Sequence, residues 1–180
     1  MTDAPPPSRD PSTEMDVRAD AEAREKVMAM IAKAQFAMLG TYDAEGRCHS
    51  RPMAAVEHED ADGALWFFTR ADSRKLREIG ADARVTLDYS DPGAKSWVSA
   101  LGRAEVLNDR SKIEELWMEP LRTWFPDGKD DPAIRLIRVD IEAAEYWDSS
   151  SSAVVYAFGY LKALATGEVP SPGDIAQVRM

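Results

Sequence analysis

The chain has little of what builds disulfides or metal centres. Its 180 residues include one cysteine, Cys48, and two histidines, His49 and His58. A single cysteine excludes an internal disulfide and suits a reducing compartment. One cysteine and two histidines leave little material for a zinc site, so no metal is expected. Long apolar runs are missing as well: none approaches the roughly 20 residues of a membrane-spanning helix. Basic residues are outnumbered, 22 lysines and arginines against 32 aspartates and glutamates, for a formal charge of −10. Neutralising a phosphate backbone or an anionic bilayer needs a net basic face, which argues against nucleic acid or membrane as partner. Residues 1–18 are proline-rich and acidic. They lack the charged-then-apolar layout of a secretion signal, and a cytoplasmic location is expected. There is no internal repeat.

The length suits one domain with a proper core. Residues 1–16, with Pro5, Pro6, Pro7 and Pro11, read as a disordered tail. From 17 to 35 the alanine, glutamate and lysine content favours a helix, with Val27, Met28, Ile31 and Ala34 on one face. The pattern then changes to strands. Runs are expected at 36–41, 48–57, 64–69, 84–89, 96–107, 135–141 and 144–148. Asp43-Ala44-Glu45-Gly46 turns the first pair into a hairpin. Pro52 marks an edge or bulge, and Gly102 a bend or bulge. A short helix is expected at 73–79, closed by Gly80, and another from a cap at Asn108 or Asp109 to Glu119. Residues 154–165 read as a final helix or strand. Six or seven short strands at meander spacing with few helices predict a mainly β fold, a small antiparallel barrel.

The most informative segment is Leu65-Trp66-Phe67-Phe68-Thr69-Arg70-Ala71-Asp72-Ser73-Arg74-Lys75. An aromatic strand runs through a hydroxyl-bearing turn into a helix that opens on Ser-Arg-Lys. A helix N-terminus aims free N–H groups and a positive dipole end at one point. Hydroxyls and cations gathered there make a phosphate cradle. The same three residues, taken alone, are also an ordinary solvated helix start. His49, His58 and Cys48 read as plain strand residues, with no base–nucleophile pairing visible. Trp117, Trp124 and Phe125 read as core or interface anchors. Asp127-Gly128-Lys129-Asp130-Asp131 lacks the spacing of a calcium loop and reads as a capped surface turn.

The order of pieces carries a resemblance. It comprises the N-terminal helix, the Asp-Ala-Glu-Gly-Arg hairpin, His49-Ser50-Arg51-Pro52-Met53, the Leu-Trp-Phe-Phe-Thr strand and Ser-Arg-Lys. Gly102-Arg103-Ala104-Glu105, the Trp124-Phe125-Pro126-Asp127-Gly128 loop and Ala144-Glu145-Tyr146-Trp147-Asp148 extend it. Over residues 22–148 the chain resembles the split-barrel flavoproteins related to pyridoxamine 5′-phosphate oxidase, and most of all their general-stress-protein subgroup. The resemblance implies a six-stranded antiparallel split β-barrel over residues 17–148, with residues 149–180 as a C-terminal extension. It implies FMN, or FAD, at a homodimer interface. Arg51, Pro52, Met53 and Ala54 would lie along the flavin ring and ribityl chain. Phe68 and Thr69 correspond to the pair at the phosphate end, and Ser73, Arg74 and Lys75 to its phosphate clamp. Trp97 stands where the oxidase has a flavin-contacting glutamine, and Trp147 matches a tryptophan that reaches the flavin across the dimer.

One departure matters. Where the oxidase has an Arg-Leu-His-x-Arg substrate motif, this chain has Ser151-Ser152-Ala153-Val154-Val155-Tyr156. Oxidation of pyridoxamine phosphate is therefore not expected. The resemblance leads to a flavin-dependent oxidoreductase of the general stress type without an assigned acid or base. The alternatives are a non-catalytic protein that stores or senses flavin, and a related barrel that takes haem or a deazaflavin.

Overall fold

The computed structural model describes residues 16–18, 21–56, 63–148 and 174–180. Its elements in chain order are β1 (Asp16–Arg18), α1 (Ala21–Ala34), β2 (Phe36–Tyr42), β3 (Cys48–Ala54), β4 (Leu65–Arg70) and α2 (Arg74–Ala81). There follow β5 (Arg84–Asp91), β6 (Ser96–Leu107), α3 (Arg110–Leu116), β7 (Ile134–Asp148) and β8 (Asp174–Arg179). Two short 3-10 turns, Glu119–Thr123 and Gly128–Asp130, lie between α3 and β7.

The strands form one sheet of order β1-β8-β7-β6-β5-β2-β3, with β4 joining β7 off that path. All pairings are antiparallel except β1 with β8. The six strands β2 to β7 make the split barrel, and β1 and β8 add two more. Fifteen-residue β7 is the shared wall. Its first half pairs with β4 and its second half with β8, while β6 runs along both. The register steps between Leu101 and Gly102, so Leu101 faces Ala143 and Gly102 faces Ile141. Glu142 is the extra residue. That bulge bends one long strand where the sequence suggested two short ones.

Period-two burial sends Val85, Leu87 and Tyr89 of β5 and Val98 and Ala100 of β6 inward. With Phe67, Ile137, Val139 and Tyr146 they form the barrel core, closed by Ala23, Val27 and Ile31 of α1. Each large side chain so buried contributes about 1.5–3 kcal/mol. A second cluster lies on the other face of β4 and β7. There Trp66, Phe68, Ile134 and Leu136 meet Ile113 and Leu116 of α3 and Leu121 and Phe125 of the following turns.

Three further expectations differ from the structure. The helix begins at Ala21 rather than 17, because residues 16–18 pair with β8, a strand that no local pattern links to them. Gly80 does not close α2; Ala81 is its last residue, and the N–H of Asp82 donates to the carbonyl of Glu78 at 2.8 Å. α3 is capped by Asp109, which accepts from the N–H groups of Ser111 and Lys112, but it ends at Leu116. Pro120 then opens a 3-10 turn. The expected helix or strand at 154–165, the strand end at Glu57, His58 and the Ser151–Tyr156 stretch lie outside the described residues. No described helix is long and apolar enough to cross a membrane.

Candidate functional site

The barrel fails to close along one seam. Val56 and Trp66 form an isolated antiparallel bridge, with Val56 N–H donating to Trp66 O at 2.9 Å. Continuing that register would set Ala54 opposite Phe68, Met53 opposite Thr69 and Pro52 opposite Arg70. No ladder forms there among the described residues. Pro52 has no N–H to give, and β3 is already paired through its other edge to β2. All six of those residues line a cleft of about 610 Å³. The volume is that of a small-molecule site, typically about 300–1,000 Å³.

The rest of the lining comes from three places. Asp72, Ser73 and Lys75 belong to the turn and first residues of α2. Phe36 stands at the start of β2. Leu121, Trp124 and Phe125 come from the turns before β7. Phe125 packs 6.3 Å from Phe68, centroid to centroid, so the wall behind the cleft is firmly seated. Phe36 and Trp124 are 56% and 58% exposed and leave large apolar rings at the surface.

The polar lining is organised around Lys75. Its ammonium donates to Thr69 Oγ1 at 2.8 Å and to Ser73 Oγ at 2.7 Å. Ser73 occupies the cap position of α2, yet its hydroxyl makes no capping bond to the helix and serves Lys75 instead. The first N–H groups of the helix therefore have no side-chain cap. Burial, then the charge of Arg51, hold the Lys75 pKa below the usual lysine value, against an opposite pull from Asp72 and Glu78. No carboxylate forms an ion pair with Lys75 among the described residues. A half-buried cation held by two neutral hydroxyls is complementary to an anion.

Arg51 and Arg74 are engaged elsewhere. Arg51 Nη1 donates to Thr41 Oγ1 at 2.6 Å and to Leu39 O at 3.1 Å, and its Nη2 to Glu78 Oε2 at 3.1 Å. Arg74 Nε lies 2.6 Å from Glu78 Oε1. Burial pushes the Glu78 carboxyl up, but the Thr41 hydrogen bond and the two arginines outweigh it and leave its pKa lowered. Asp43 in the β2–β3 turn bonds His49 Nε2 at 2.8 Å and Arg47 at 2.9 Å, which hold its carboxyl well below the usual range.

Residues 22–171 match the profile of the family described as pyridoxamine 5′-phosphate oxidase like. The chain belongs to that family. Protein bli-3 of Neurospora crassa is 25% identical over 153 residues, 80% of this chain and 73% of that protein. Among solved structures, general stress protein 26 from Jannaschia superposes with a TM-score of 0.73 at 23% identity, covering 89% of this chain and all of that one. The general stress FMN/FAD binding protein of Xanthomonas citri gives a TM-score of 0.64 at 30% identity, over 74% of this chain and 93% of its own. The fold of the family is the split barrel found here.

Of the residues singled out in the sequence, Pro52, Met53, Ala54, Phe68, Thr69, Ser73 and Lys75 come together on the cleft. Arg51 and Arg74 stand off its lining, in the Glu78 network. Trp97 and Trp147 face each other across β6 and β7, and neither lines the cleft. Sequence reasoning did not single out Phe36, Leu121 or Glu78, and it read Trp124 and Phe125 as anchors alone. The Trp124-Phe125-Pro126-Asp127-Gly128 loop was the available signal for the last two. Its acidic end is partly as expected: Gly128 turns at φ +78, but Asp131 is buried and accepts from the N–H of Ala133 at 2.7 Å.

Proposed function

We propose that the seam cleft binds a flavin by its phosphate and ring, FMN in the first instance, and that the chain is a flavoprotein of the general stress type. One observation carries this: a half-buried ammonium, bonded to two hydroxyls and, among the described residues, to no carboxylate, on a cleft whose lining away from the α2 turn and Arg70 is apolar and aromatic. That combination fits a molecule with a dianionic end and a flat apolar body. Lys75, Ser73 and Thr69 would receive the phosphate, with the uncapped N-terminus of α2 behind them. Pro52, Met53, Ala54 and Phe68 would flank the ring, and the unpaired seam leaves strand edges for the ring's polar rim. Bound there, a flavin supplies hydride and electron chemistry, and the protein supplies position and charge. The similarity to a protein described as FMN/FAD binding supports the reading. So does the family, although the oxidase's Arg-Leu-His-x-Arg motif is replaced in this sequence by Ser151-Ser152-Ala153-Val154-Val155-Tyr156.

Among the described residues the cleft lining has no histidine, cysteine or glutamate, and its one carboxylate, Asp72, is 79% exposed and lies 3.6 Å from Arg70. The protein would add little acid–base chemistry to the cofactor's own, which favours a second reading as a flavin carrier or sensor. Oxidation of NADPH by the flavin-loaded protein separates the two. The reading includes a homodimer, for which the exposed Phe36 and Trp124 beside the cleft are suitable cover.

The test is a pair of titrations of flavin-stripped protein, with FMN and with riboflavin, followed by flavin fluorescence. Wild type should prefer FMN. Lys75→Ala should lose about tenfold to a hundredfold in FMN affinity while riboflavin affinity holds. Equal affinities for the two flavins in wild type would sink the phosphate assignment.

A further inference from the structure

Two cations line the cleft, Lys75 and Arg70, and the flavin reading uses only the first. Both stand where β4 turns into α2, but they reach the cleft from different sides. Lys75 is bonded to Thr69. Arg70 follows Thr69 in the strand, so alternation puts it on the face of Phe68. The Arg70 side chain is half exposed, and its guanidinium makes no hydrogen bond among the described residues. Two carboxylates attend it. Asp131 lies 3.7 Å away, buried, with its other oxygen taken by the N–H of Ala133. Asp72 lies 3.6 Å away on the cleft lining, exposed to solvent. Both distances exceed a hydrogen bond, so the two acids orient the guanidinium and leave its donors open. Asp72 also acts on Lys75, where its charge opposes the burial and the Arg51 charge that lower the lysine pKa. One exposed carboxylate thus neighbours both cations. The remaining charges lie off the lining. Arg110 donates to the carbonyls of Lys129 and Asp131. Arg74 and Arg51 stand with Glu78 on the α2 side, and Asp43 beyond them is bonded to His49 and Arg47. With Asp72 and Asp131 counted against Lys75 and Arg70, this end of the cleft has no net surplus of charge. It has two separate sets of cationic donors with an exposed acid between them.

We propose that Arg70 is a second anion position of the cleft and reads the second phosphate of a diphosphate, which makes FAD the preferred flavin. A diphosphate diester carries a negative charge on each of two linked phosphorus atoms. Lys75, Ser73 and Thr69 meet the first phosphate on the α2 side, with Arg74 beside them at the start of the helix. The fork of Arg70 meets the second phosphate on the Phe68 side with paired hydrogen bonds, and Asp72 swings out to water. Asp131 stays behind the guanidinium and keeps it aimed. FMN ends at the first phosphate and leaves Arg70 with its two carboxylates.

This inference rests on the flavin reading and extends it by one phosphate. Its test is equilibrium dialysis of flavin-stripped protein against riboflavin, FMN and FAD. Wild type should hold FAD about tenfold tighter than FMN. Arg70→Gln should abolish that preference, lowering FAD affinity about tenfold and leaving FMN affinity within about twofold. Equal losses for FMN and FAD would make Arg70 a general source of charge, and an unchanged FAD affinity would leave it without a ligand; either result overturns the proposal. If Arg70→Gln does not fold, because it strands the buried Asp131, Arg70→Lys keeps the charge and removes the fork. The FAD-to-FMN affinity ratio should then fall about threefold or more, and an unaltered ratio overturns the proposal. A separate anion is distinguished by titrating FMN-loaded protein with AMP. AMP binding that depends on Arg70, with FAD held no tighter than FMN, would assign Arg70 to a second molecule and overturn the diphosphate reading. A wild type that prefers FMN to riboflavin but holds FAD no tighter than FMN defeats the inference alone. A wild type that binds riboflavin, FMN and FAD equally defeats the phosphate assignment as well.

Discussion

Glu78 is a single carboxylate whose charge touches the strand β2, the strand β3 and the helix that carries it. Its folded pKa lies below the ordinary 4.5, despite burial, because Thr41, Arg74 and Arg51 favour the ionised form. A depressed carboxyl stabilises the fold fully above its unfolded pKa, and that contribution is lost as pH falls through the folded value. Glu78→Gln should therefore flatten the acid limb of the stability profile below about pH 4.5 relative to wild type, measured by urea unfolding across pH. An unchanged limb would mean that other carboxylates, Asp43 foremost, govern acid unfolding. At this scale the sequence was half legible. Ser73 and Lys75 are two positions apart, so their shared role shows locally. Glu78 meets Thr41 and Arg51 across 37 and 27 positions, and nothing in the chain's local pattern announces either partner.

Among the elements, the bulge between β6 and β7 is what lets one strand serve two neighbours. Gly102 is required there by close approach: a Cβ would run into the backbone carbonyl of Asp140. Backbone cannot step aside as a flexible side chain can, so Gly102→Ala should cost about 2–3 kcal/mol in thermal or denaturant unfolding. A cost under about 0.5 kcal/mol would show that the bulge relaxes freely. Gly102 was readable in the sequence as a break in an alternating strand. That residues 134–148 form one strand was not, because the bulge at Glu142 shifts the alternation and imitates a strand end. Gly80 misled for a similar reason. A glycine near the end of a helical run is a common stop signal, but here one more residue and the bond from Asp82 continue the turn.

For the whole molecule, the exposed apolar surface is the main unfinished business. Phe36, Met38 and Trp124 are each at least 42% exposed, the first and last beside the cleft. With a net charge of −10 the chain repels its copies at long range, so association must come from apolar cover at short range. Sedimentation equilibrium should give twice the 19.9 kDa chain mass, and Phe36→Glu should move the population toward monomer. A wild type that sediments as a monomer would remove the homodimer from the functional reading. The sequence by itself determined the strands β2 to β6 with the helices beside them, and the meeting of Ser73 with Lys75 at the opening of α2. Both depend on alternation, turn residues and neighbours a few positions apart. The tertiary structure alone decided that β8 returns to β7, that β3 and β4 part at Pro52, and that Arg51 and Arg74 belong to Glu78. Those outcomes turn on which distant segments meet, and such meetings are settled by packing and charge across the folded barrel.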